Sequence, residues 1–73
     1  MNLDSDTIKR MVQFDESYLS GLREQLIKLE DVTTKFGSSD NIENTKKAYK
    51  EIIDRTSLRI FEYRRALYDR GEL

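Results

Sequence analysis

Apolar side chains recur every three or four positions through most of the chain, with polar residues between them. That is the period of an amphipathic helix rather than the alternation of a half-buried strand. In the first half, Val12, Leu19, Leu26 and Thr33 mark one heptad column, and Ile8, Asp15, Leu22, Leu29 and Phe36 mark a second. Met11, Tyr18, Gln25 and Val32 form a third column beside them. A band this broad suits a helix with more than one neighbour better than a narrow two-stranded seam. In the second half, Ile53, Ile60 and Leu67 form one column and Ile42, Tyr49, Thr56 and Tyr63 another, with Ile52 and Ala66 widening the stripe.

The one convincing interruption is Lys35-Phe36-Gly37-Ser38-Ser39-Asp40-Asn41-Ile42-Glu43. Gly37 can take the left-handed conformation that ends a helix, and Lys35 just before it suits the negative end of the dipole. Asp40 reads as the next N-cap, with Glu43 closing a capping box and Ser38 and Ser39 as alternative caps. One continuous helix is the competing reading, since Gly37 costs only about 1 kcal/mol inside a helix. A stop followed at once by a start instead makes antiparallel neighbours. The expected fold is all-α: a coiled-coil-like antiparallel two-helix hairpin, completed into a bundle by association. It forms a single domain over residues 1–73, with helix 1 at about 5–36, the turn at 37–40 and helix 2 at about 41–70. Each arm should be about 45 Å long. Asp4, Ser5 and Asp6 supply a start for the first arm, and Gly71 a stop for the second. Arg64, Arg65 and Arg70 lie near that stop, and Glu43–Lys47 and Glu51–Arg55 have the favourable i,i+4 order.

Several residues depart from the pattern. Asp15 sits on the seam; it can pair with an arginine of the second arm, set the register, or stay wet near a frayed end. Gly21 either admits another helix or is simply tolerated. Leu58, Phe61 and Tyr68 lie off the stripe of the second arm, and Phe14 lies off the seam of the first. In an antiparallel hairpin Phe14, Tyr18, Phe61, Tyr63 and Tyr68 should gather at the open end, with Arg59, Arg64 and Arg65 interleaved. Aromatic residues and arginine are enriched where interfaces hold most of their energy. The expected partner-binding set is therefore Phe14, Tyr18, Leu58, Phe61, Arg64, Arg65 and Tyr68.

Composition narrows the chemistry. A chain of 73 residues buries only about 60% of its unfolded surface, so association is an expected source of stability. Cysteine and histidine are both absent, which removes disulfides, the common zinc sites and Cys–His or Ser–His catalysis. There is no phosphate-cradling glycine loop, and the carboxylates are spread as helix charges rather than converging. Neither an enzyme nor a cofactor, metal or small-molecule substrate is expected. Charged residues make up 37% of the chain at a net charge of -1, unlike a general nucleic-acid binder. No apolar run reaches membrane-spanning length, and residues 1–30 lack a basic start followed by an apolar block. A cytoplasmic location without a membrane partner is expected.

The segments Glu16, Leu19 and Arg23, the turn Asp40-Asn41-Ile42, and Ile60-x-Glu62-Tyr63-Arg64-Arg65-x-Leu67-x-Asp69-Arg70 together resemble the N-terminal coiled-coil hairpin of hantavirus nucleocapsid proteins. The aromatic content departs from that family, which has small and aliphatic residues at many of these places. The resemblance implies an oligomerisation module at the front of an RNA-packaging protein. Lys35-Phe36-Gly37 at the turn is more loosely similar to two-helix secretion proteins of the WXG type, although the tryptophan is missing.

The functional expectation is a small interaction module acting by oligomerisation or by docking on a partner. The partner would be a second copy, in a dimer or trimer, or a larger helical protein. A phage- or bacterium-encoded regulator, adaptor or chaperone fits this description. The alternative is a nucleic-acid-binding hairpin using Lys46, Lys47, Lys50, Arg55 and Arg59, with Tyr63 and Tyr68 as stacking surfaces. Glu51, Asp54, Glu62 and Asp69 interrupt that positive series.

Overall fold

A computed structural model describes residues 2–73. The chain is an all-α hairpin of two helices packed against each other, α1 (Ser5–Phe36) and α2 (Asp40–Asp69). It measures 49 × 15 × 14 Å. Its radius of gyration is 16.0 Å, against about 11 Å for a compact domain of this length.

The caps explain where each helix begins and ends. Asp4 accepts a 2.7 Å hydrogen bond from the Thr7 backbone N–H and starts α1. Gly37 ends it at φ 85° and ψ 175°, donating its N–H to the Thr33 carbonyl. This is not the left-handed helical conformation expected at that position, but an extended positive-φ state that is essentially confined to glycine. The N-cap of α2 is Ser39 rather than Asp40: its hydroxyl accepts from the Ile42 N–H at 3.3 Å. Asp40 thereby becomes the first helical residue, where its charge faces the positive end of the dipole. Glu43 closes no capping box; its carboxylate accepts from the Ser38 hydroxyl and pairs with Lys46 at 3.4 Å, not with Lys47. No ion pair joins Glu51 to Arg55 among the described residues, where Asp31–Lys35 supplies the i,i+4 pair instead. At the far end Gly71 (φ 73°) donates to the Tyr68 carbonyl and Glu72 to that of Leu67, the paired bonds of a Schellman motif. Arg70 is the cap residue itself, and the last turn of α2 carries no basic side chain.

The core is short and lies towards the open end. Ile8, Val12, Leu19 and Leu22 of α1 and Ile60 and Leu67 of α2 are buried, joined by the fully covered Thr56. Ile53, Tyr63 and Ala66 pack against this cluster. Towards the turn the same columns are only half covered at Leu26, Leu29, Thr33, Ile42 and Tyr49, and Phe36 is 83% exposed. Lys46 is the exception in that half: its stem is buried and its ammonium reaches Glu43 at the surface.

Candidate protein-binding faces

Ion pairs join the two arms on both sides of the seam. Asp15 is 4% exposed, and both its oxygens accept from the Arg59 guanidinium, at 2.7 and 2.9 Å. Of the readings open for Asp15, pairing with the second arm is the one realised; it does not stay wet. The carboxylate holds the Arg59 guanidinium above its ordinary value, chiefly through this hydrogen bond, which outweighs the opposing desolvation; the carboxylate's charge adds a lesser upward effect. On the other side of the seam Arg64 donates to Glu16, and Lys9 meets Glu72 at 3.1 Å.

These pairs distinguish two flanks. On α1 the heptad column Lys9, Glu16, Arg23 and Glu30 is charged at every position. The column Met11, Tyr18, Gln25 and Val32, on the other side of the buried seam, carries no charge at all. On this side Met11, Phe14 and Tyr63 line a groove of about 450 Å³ that bridges to α2, and Thr7, Arg10, Asp15 and Arg59 form the rest of its wall. A second groove on the same flank, about 410 Å³, is lined by Ser17, Tyr18, Gly21, Leu22, Gln25 and Tyr49. Phe14, 71% exposed, stacks on Tyr18 with ring centroids 6.5 Å apart.

The expected single aromatic cluster at the open end is split. Phe61 follows the buried Ile60 by one residue, so it lies about 100° round α2, on the side of Arg64. Tyr68 is seven residues further and shares its line, while Leu58 lies about 160° from Ile60, on the back of the helix. All three are exposed. Phe14, Tyr18 and Tyr63 therefore belong to the uncharged flank, and Leu58, Phe61, Arg65 and Tyr68 to the opposite side of α2. Arg64 is drawn into the hairpin by Glu16.

The positive residues do not converge either. Arg59 is held by Asp15 and Lys46 by Glu43. Lys47 and Lys50 are exposed together, but Arg55 lies about 140° round the helix from Lys50. Among the described residues no acidic group could hold a metal ion, and no helix is long and apolar enough to cross a membrane.

Met11 and Val32 belong to the uncharged column and Leu29 and Phe36 to the seam column beside it, yet a search for off-pattern aromatics passes over them. The available signal was the contrast between two columns of α1, one with a charge at every position and one with none. The chain matches no protein-family model, no curated protein and no solved structure.

Proposed function

We infer that this chain is a helical protein–protein interaction module, acting by oligomerisation or by docking on another helical protein. The observation that carries the reading is its surface. The hairpin exposes 5581 Å². A compact monomer of 8.7 kDa would expose about 4,700 Å². The excess, about 900 Å², is close to what one partner contributes to a standard interface, about 800 Å². Large apolar side chains stand on that surface: Phe14, Tyr18, Val32, Phe36, Leu58, Phe61 and Tyr68 are all exposed. Two helices have only one seam to share, so any further apolar flank needs a third helix to cover it. Nothing in the placement of Lys47, Lys50 and Arg55 favours the nucleic-acid alternative, because they form no continuous positive stripe.

The test is photo-crosslinking in the native cell, with a benzophenone side chain placed at position 14 or position 61. Specific adducts with this chain or with one other protein, from either position, are expected. The absence of adducts at both, together with a monomeric purified chain, would overturn the reading.

A further inference from the structure

The uncharged column of α1, taken with Phe14 on one side of it and Leu29 on the other, pairs apolar with apolar and polar with polar when read from either end. Reversed about the midpoint between Gly21 and Leu22, it sets Met11 opposite Val32, Phe14 opposite Leu29 and Tyr18 opposite Gln25. Two apolar layers then flank a layer in which a phenol faces an amide, and the smallest residue sits at the centre. A two-fold axis requires that kind of match, because one patch must be its own complement. We propose that the partner is a second copy of this chain, laid antiparallel so that the two α1 flanks pack about an axis beside Gly21 and make a four-helix dimer. This rests on the interaction-module reading and names its partner.

Three further observations support the pairing. The excess surface is of the size that one copy contributes to a standard interface. The core is lopsided, buried at the open end and half covered near the turn. An antiparallel second copy offsets this, since Leu29, Val32 and Phe36 of each chain meet the groove formed by Met11, Phe14 and Tyr63 of the other. Finally, Gly21 is exposed, and a Cβ built on it meets nothing within 4 Å. The hairpin alone gives no reason for a glycine in mid-helix, whereas at the crossing of two helices it lets the backbones approach closely. The paired positions Met11, Phe14, Tyr18, Gln25, Leu29 and Val32 carry no charge.

Because the chain has no cysteine, single cysteines report the geometry directly. Sedimentation equilibrium over about 1 to 100 μM should show a monomer–dimer equilibrium. Under mild oxidation Gly21→Cys should give a disulfide-linked dimer, and Arg23→Cys, on the charged flank, should not. Phe14→Asp changes an exposed side chain, so helicity should be kept while the dissociation constant rises at least about tenfold. A wild-type chain that stays monomeric across this range overturns the pairing, and so does a dimer that cross-links at position 23 or ignores Phe14→Asp. A dimer lost instead on Phe61→Asp with Tyr68→Asp would overturn this interface and leave the interaction-module reading standing. A monomer that also forms no adducts in the cell from positions 14 and 61 would overturn both.

Discussion

Removing the two sides of the Asp15–Arg59 pair should have unequal consequences. The pair is asymmetric in its exposure to water. The Asp15 side chain is 6% exposed and that of Arg59 46%. Arg59→Met strands a carboxylate inside the seam without either of its charge-assisted bonds, and should cost about 3 kcal/mol. Asp15→Leu strands only a guanidinium that water can already reach, so the loss is screened to about 1 kcal/mol. The leucine also restores an apolar residue to its heptad column, which offsets part of that loss. The double variant Asp15→Leu/Arg59→Met replaces the pair by apolar packing and should be at least as stable as the natural chain. For a domain of this length 1 kcal/mol moves Tm by about 4–8 °C. Arg59→Met should therefore lower Tm by more than about 12 °C, and Asp15→Leu by no more than about 8 °C. The assay is thermal unfolding followed by far-ultraviolet circular dichroism, at one protomer concentration for all variants, because association would shift Tm by mass action. Equal losses from the two single variants would show that the hydrogen bonds themselves, not the desolvation of the carboxylate, set the energetics. A double variant less stable than the natural chain would refute the reasoning outright.

Three further outcomes are expected. Gly21→Ala should stabilise the dilute hairpin by about 1 kcal/mol, since the added methyl meets nothing within 4 Å and alanine is the better helix former; chemical denaturation checks this, and a loss of stability would contradict it. Ser39→Ala should cost about 1 kcal/mol by leaving the Ile42 N–H without its cap, whereas Asp40→Ala should cost less; the reverse order would return the cap to Asp40. Acid should fray both helix starts. The Asp4 carboxyl is held below its ordinary value by the Thr7 backbone N–H, and that of Glu43 chiefly by the Ser38 hydroxyl and then by Lys46. A carboxyl lowered in the folded state adds stability above its unfolded pKa, which is near 4, and loses it as pH falls through the lower folded value. Amide exchange at Thr7 should therefore be unchanged from pH 7 to 5 and accelerate, after correction for intrinsic rates, only below that range. Loss of protection already at pH 5 would contradict the assignment.

The sequence by itself determined that the chain is two helices with a break between them. Those features are local. A run of apolar residues at helical spacing declares a helix, and a glycine followed by serines and an aspartate declares the end of one and the start of the next. Even the choice among caps was narrowed to Ser38, Ser39 and Asp40, and it took the backbone path after Gly37 to select Ser39. What the tertiary structure decided was rotation and register. Whether Asp15 stays wet or meets Arg59 depends on how two helices slide past each other across 44 residues of chain. Whether Phe14 and Phe61 share a face depends on how each helix turns about its own axis. A heptad pattern leaves both open to within a turn, because a broad apolar band can be buried along either edge. Packing chose the edge that seats Ile8, Thr56 and Leu67 completely, and so fixed which apolar side chains were left outside.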